Sequence, residues 1–311
     1  MSCAFIFPGQ GSQTLKMMDN LLSFNQVRKQ FAIAKEVLNI DYFQMLQEDT
    51  SDNINNTLNT QPLLLTAGYA TYMSWIDCGY QPPSILAGHS LGEWTALLVA
   101  GVVSFEDALN IVKLRSTLMQ NAVHNQEYLM VAILGLDDNI IIETCSQVSS
   151  LTNKVVEAVN FNCPGQVVIG GDKDCVSLAI EKLKSSHNIK FIVLPMSVPS
   201  HCALMKDASE KFALYLKTIQ FKQPKIKVFF NFNSESYMDT DVIKEMMIKQ
   251  LYNPVQWTKV IKSIVDSGIK NIVECFPGRV LSNFNKRIDS NIQSFYLKSA
   301  DDFKNTYETI F

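Results

Sequence analysis

Five residues, Gly88-His89-Ser90-Leu91-Gly92, carry the clearest chemistry in the chain. They fit Gly-x-Ser-x-Gly, the spacing of a nucleophile elbow. An apolar run, Ser84-Ile85-Leu86-Ala87, precedes them, and 93–100 reads as a helix. Strand, tight turn and helix is the context in which such a serine is strained and its hydroxyl exposed. Glycines on either side let the backbone pass without a Cβ clash. The N-terminus of the following helix offers N–H groups to an anion. Serine between glycines also occurs in ordinary turns, so the pentapeptide alone leaves a plain turn open.

A serine nucleophile needs a base. The chain has 4 histidines. His89 sits inside the turn beside the serine, so its side chain is expected to point away. His124 and His187 fall in polar connections and read as solvated. His201 follows Pro199-Ser200 and opens a helix. Elimination favours His201, with a structural role left open. No acidic third member stands out between Ser90 and His201, which argues against an ordinary Ser-His-Asp hydrolase. Arg115 shares a helical face with Ile111, Leu118 and Met119 at i+3 and i+4 spacings. A guanidinium on an apolar stripe needs a partner. That partner is either the protein's own carboxylate or a carboxylate on a substrate, gripped in bidentate fashion. Gln10 lies in the loop Pro8-Gly9-Gln10-Gly11-Ser12-Gln13, where a tight turn can aim a backbone N–H at an oxyanion.

These residues need elements to hold them. Ala4-Phe5-Ile6-Phe7 reads as a buried strand feeding the Gln10 loop. Helical patterns run through Leu46 and over 61–75. Ser104 caps a helix with Glu106 and Asp107 in its first turn. The pattern then changes: strand 128–134, helix 137–149, strand 154–161, turn 162–165, strand 166–170, helix 172–186, strand 190–195. That order, β-α-β-β-α-β, is the ferredoxin-like split unit. Residues 126–197 are therefore expected to form a small inserted domain. Residues 1–125 and 198–311 are expected to form a large α/β domain, with a helix over 203–215 and strands near 228–231 and 272–275.

At 311 residues the chain has room for such an arrangement. A net charge of -3 and scattered lysines give no electrostatic case for nucleic acid. The longest apolar stretch, 84–103, contains His89, Ser90 and Glu93 and reads as buried strand and helix, not a membrane span. The N-terminus lacks a basic region, so no signal peptide is expected. The 7 cysteines include no Cys-x-x-Cys pair. Free thiols in a reducing cytoplasm are expected, with no metal site.

Several stretches together resemble the malonyl-CoA:acyl carrier protein transacylase family. They are 7–13, the elbow with Glu93, 159–169, 198–205 and 251–257, in order along essentially the whole chain. The resemblance implies an α/β-hydrolase-like core with a parallel sheet and a ferredoxin-like insertion. It implies that Ser90 is acylated and His201 is its base. The other nitrogen of His201 would be held by the main-chain carbonyl of Gln256, which accounts for the missing acid. Backbone N–H groups of Gln10 and Leu91 match the oxyanion hole, and Arg115 matches the residue that pairs with the malonyl carboxylate. The implied reaction is ping-pong transfer from malonyl-CoA to the phosphopantetheine thiol of acyl carrier protein, a transient partner, for fatty-acid synthesis. No cofactor is implied, and a cytoplasmic monomer is expected.

The chain departs from the family at three places. Phe276-Pro277-Gly278 stands where Gly-Pro-Gly is usual, Tyr128 lies near a frequent glycine, and Trp94 replaces a tyrosine. Phe276 either narrows the acyl or pantetheine channel or packs in a relaxed turn. Ser200-His201 does not decide between malonyl and substituted malonyl groups. Two other readings stay open: a discrete acyltransferase or acyl hydrolase of a polyketide synthase, and a catalytically silent module that only binds carrier protein.

Overall fold

The computed structural model describes residues 2–49, 51–123, 127–186, 188–195, 198–276 and 278–311. The expectations for His124 and His187 lie outside the described residues, as do Gln126, Ser197 and Pro277. In chain order the strands are β1 (Cys3–Phe7), β2 (Ile85–Gly88), β3 (Tyr128–Leu134), β4 (Val156–Cys163), β5 (Gln166–Asp172), β6 (Lys190–Val193), β7 (Lys227–Phe229), β8 (Asn271–Glu274) and β9 (Gln293–Tyr296).

Two separate sheets result. The first runs β7-β2-β1-β8-β9 and is parallel throughout. Its central strands are apolar without alternation because helices cover both faces. Phe5 and Phe7 join the core under helix Thr57–Asp77, while Ala4 and Ile6 face the opposite side. There helix Trp257–Asp266 inserts Trp257, Val260, Ile261 and Ile264, the i, i+3, i+4, i+7 stripe of an amphipathic helix.

The second sheet takes all its strands from 128–193, in the order β4-β5-β3-β6, and is antiparallel. The expected β-α-β-β-α-β order is the order observed, with helices Asp138–Thr152 and Lys173–Ser186. Period-two alternation divides its faces. Val131, Ile133, Val167 and Ile169 pack on the two helices. Met130, Ala132, Val159 and Val168 turn the other way, against Cys202. β4 runs on through Asn162 and Cys163, so the expected four-residue turn shrinks to Pro164-Gly165, with Gly165 at φ +69.

The sheets are stitched together beside β4. Val255 N–H donates to Val159 O and Phe161 N–H to Val255 O, both at 2.9 Å. Arg287 Nη2 donates to Pro164 O at 2.7 Å. Phe276 is buried in the main core under the first sheet.

The elbow depends on close backbone approach. A Cβ on Gly88 would lie 1.9 Å from the carbonyl carbon of Gly92, and one on Gly92 would lie 2.0 Å from Phe7 O. Neither neighbour is a side chain that can rotate aside. Gly88→Ala is therefore expected to sit at or beyond the upper end of overpacking costs, about 3 kcal/mol or more. Urea unfolding of the variant checks this; a midpoint equal to wild type would contradict the packing described.

Candidate active site

The site forms at the carboxyl ends of β1 and β2, where open parallel sheets place ligands. β2 ends at Gly88, and Ser90 follows at φ 53, ψ -109, before helix Leu91–Val99. Non-glycine residues avoid this backbone region, so the turn holds Ser90 under strain. Asn231 fastens it: Oδ1 accepts from Ser90 N–H at 2.7 Å, and Nδ2 donates to Gly88 O at 2.6 Å.

Ser90 Oγ lies 2.7 Å from Nε2 of His201. His201 is 2% exposed and also takes a positive φ, 66. Its Nδ1 lies 2.7 Å from a main-chain carbonyl, which can only accept, so Nδ1 carries the proton and Nε2 is free to receive one. That carbonyl belongs to Gln250, not Gln256. The Gln256 carbonyl is consumed by the start of helix Trp257–Asp266, accepting N–H groups from Lys259 and Val260.

Arg115 is 1% exposed and points at the serine. Nη1 donates to Gln61 Oε1 at 2.7 Å and Nη2 to Gln250 Oε1 at 3.0 Å, with Ser90 Oγ 3.5 Å from Nη2. Its partners are neutral amides. Among the described residues Arg115 has no ion pair, which removes the internal salt bridge left open above. Burial pulls the guanidinium down to about 10, with Glu93 pulling back, so it remains charged at neutral pH.

Gln10 and Leu91 both line the same cavity, of about 420 Å³, with Ser90, His201 and Arg115. Among the described residues no hydrogen bond engages either backbone N–H. Met130 and Val168 of the second sheet form the opposite wall. His89 turns from Ser90, as expected: Nε2 meets Asn162 Oδ1 at 2.9 Å and the ring leans on Trp257. Among the described residues no cluster of His, Cys, Asp or Glu is arranged to hold a metal ion.

Sequence reasoning missed Gln61, Glu93, Asn231 and Gln250. Glu93 is 1% exposed; its Oε1 accepts from Asn231 N–H at 3.1 Å and its Oε2 from Gln250 Nε2 at 2.6 Å. Burial pushes its carboxyl up, against the pull of Gln250, Asn231 and Arg115. Both oxygens accept from N–H donors and neither faces an acceptor that could take a proton from it, so the group is held as a carboxylate. The available signals were Glu93 inside an apolar stretch and Gln250 bordering the 251–257 motif. Neither residue type announces a place beside Arg115.

This geometry and fold belong to serine acyl transfer. The chain belongs to the acyl transferase family, matching the acyl transferase domain over residues 4–294. It is 43% identical over 286 residues to malonyl CoA-acyl carrier protein transacylase of Escherichia coli strain K12, covering 92% of each chain. It is 40% identical to the same enzyme of Haemophilus influenzae, covering 96% of each. The structure of FabD from Acinetobacter baumannii superposes with a TM-score of 0.94 at 44% identity, covering 99% of this chain and 98% of that one. A malonyl-transacylase solved in complex with its type II PKS acyl-carrier protein superposes at 0.96 with 39% identity, covering 99% of this chain and all of the other.

Burial, followed by the charge of Arg115, pushes His201 down from 6.5 to about 3. The imidazole is thus neutral through the physiological range. Between these two values only the unfolded chain's imidazole takes up a proton, so this group costs the fold stability as pH falls below about 6.5. The His201 Cε1 proton resonance is expected to stay unshifted from pH 8 to pH 5. A titration centred near 6.5 would contradict the buried environment described.

Proposed function

We propose that this chain transfers a malonyl group from malonyl-CoA to the pantetheine thiol of acyl carrier protein, supplying fatty-acid synthesis. The observation that carries the reading is Arg115: a buried guanidinium, without an ion partner among the described residues, 3.5 Å from Ser90 Oγ. It suits an acyl group that ends in a carboxylate and whose carbonyl lies at the serine.

In the first half-reaction His201 Nε2 takes the Ser90 proton as Oγ attacks the thioester carbonyl. The Nδ1–H bond to Gln250 O keeps the ring oriented while it holds the proton. The tetrahedral oxyanion falls to the N–H groups of Gln10 and Leu91, a contribution typically worth about 10²–10³ in rate per donor. The C–S bond breaks, and His201 returns the proton to the departing CoA sulfur. In the second half-reaction the carrier's thiol gives its proton to His201 and attacks the malonyl-serine ester. Ser90 then leaves as the alcohol, taking the proton back. Each step is a proton or acyl transfer between named groups, so the reading calls for no cofactor.

The reading divides the chain into a large domain, 1–125 with 198–311, and an inserted domain, 126–197, that roofs the serine. The cavity wall formed by Met130 and Val168 supports that division. The reading also includes a monomer in the cytoplasm; unpaired thiols on all 7 cysteines fit a reducing compartment. The contact between Ser90 and His201 speaks against a silent carrier-binding module.

Mixing the protein with malonyl-CoA is expected to add one malonyl group by intact mass, and Ser90→Ala to abolish the adduct. A persistent adduct in the variant would defeat the assignment of the nucleophile. Arg115→Ala is expected to cost malonyl transfer about 2–4 kcal/mol, the worth of a desolvated charge-assisted pair. Transfer from acetyl-CoA, which has no carboxylate to lose, should hold or rise. The ratio of kcat/KM for the two donors checks this, and an equal fall for both would make Arg115 structural.

A further inference from the structure

We propose that Glu93 is a positioning residue for selectivity: it holds the side-chain amide of Gln250 with its oxygen turned toward Arg115. The inference deepens the malonyl-transfer reading and rests on it.

The two ends of a glutamine amide are nearly identical in shape, so hydrogen-bond partners alone decide which way it faces. At Gln250 that choice matters. Oε1 accepts from Arg115 Nη2 at 3.0 Å; with the amide reversed, an NH₂ would face the guanidinium, donor against donor. Two acceptors fix the orientation. Nε2 donates to Ser90 O at 2.8 Å and to Glu93 Oε2 at 2.6 Å. A primary amide has two N–H bonds in one plane, so both being engaged leaves Oε1 a single direction. Ser90 O alone would not suffice, because it already accepts Glu93 N–H at 3.1 Å and one bond lets the amide swing. Glu93 is itself fixed, since its other oxygen accepts from Asn231 N–H at 3.1 Å.

Glu93 takes no part in the cavity wall, so it meets no substrate. Its influence passes through Gln250, whose main-chain carbonyl also orients His201. A helix-capping role does not require this geometry. A carboxylate in a first turn usually serves the helix from the surface, whereas this one is buried and spends both oxygens on Asn231 and Gln250.

Glu93→Gln preserves size but replaces one acceptor with a donor. Asn231 N–H and Gln250 Nε2 both need an acceptor, so one meets an NH₂ group, and reversing Gln250 relieves the conflict at the expense of Arg115 and of Ser90 O, which then faces another acceptor. The ratio of kcat/KM for malonyl-CoA over acetyl-CoA is expected to fall about tenfold, within the range for a lost charge-assisted contact. Gln250→Met, which keeps the main-chain carbonyl, is expected to lower the same ratio. Adding Glu93→Gln to Gln250→Met should then change the ratio less than about twofold, since coupled residues are not additive. An unchanged ratio in Glu93→Gln, or a further tenfold fall in the double variant, would overturn the proposal. If Glu93→Gln does not fold, Glu93→Asp, which withdraws both oxygens by one methylene, is read by the same criteria. Wild-type protein with no preference for malonyl-CoA would defeat the malonyl-transfer reading itself. A wild-type preference that the variants leave intact would defeat only the role of Glu93.

Discussion

The main-chain carbonyl of Gln250 receives the Nδ1–H of His201 at 2.7 Å, in the place where many serine enzymes put a carboxylate. The tautomer follows from this contact, and with it the free Nε2 that faces Ser90. A neutral carbonyl orients the ring but offers little to an imidazolium. Burial and the charge of Arg115 press in the same direction, so His201 is a weak base. Such a base suits a thioester, an activated acyl donor whose leaving thiol is far more acidic than an alcohol or amine and needs little help from an acid. An amide would demand more.

Charge at the site is arranged around that weakness. Arg115 and Glu93 are both buried, yet they share no salt bridge: Gln250 stands between them, accepting from one and donating to the other. The guanidinium consequently keeps part of its capacity for an incoming anion. On the proposed reading, a carboxylate paired with Arg115 offsets part of the charge that depresses His201, which gives an acid-bearing acyl group both a seat and a stronger base. An uncharged acyl group receives neither.

The parts of this design differed in how far residue types revealed them. The elbow was legible because Gly-x-Ser-x-Gly and its flanking strand and helix lie within a few residues, and the Gly88 constraint is local, against Gly92; that of Gly92, against Phe7 O, is not. The inserted sheet was legible through period-two alternation, such as Val131 and Ile133 inward against Met130 and Ala132 outward. β9 was not, because Gln293-Ser294-Phe295-Tyr296 is a short, half-polar edge strand with only one neighbour. Arg115 declared itself by breaking an apolar stripe. Gln61, Asn231 and Gln250 did not, since buried amides look in sequence like the amides of any surface. The histidine's acceptor was placed six residues too far along because a main-chain carbonyl has no side-chain signature. Only the helix beginning at Trp257 distinguishes a carbonyl already in use from one that is free.

The two sheets contribute unequal kinds of order to the reaction. The parallel sheet holds the reacting atoms through backbone contacts that cannot adjust: Phe7 O against Gly92, and Gly88 against the elbow it precedes. The antiparallel sheet supplies one wall of the acyl cavity through side chains, Met130 and Val168, that can repack. The sheets are joined beside β4 by Val255 threaded along it, His89 on Asn162, Thr258 on Phe161 and Arg287 on Pro164, and by Cys202 packed under Met130, Ala132, Val159 and Val168. Substitutions in the first sheet therefore threaten the fold and the nucleophile together. Substitutions on the cavity face of the second alter the volume open to an acyl chain while leaving Ser90, His201 and the Gln250 carbonyl in register. On the proposed reading, acyl size and acyl charge fall to different structures, size to the antiparallel sheet and charge to Arg115 on the rigid core.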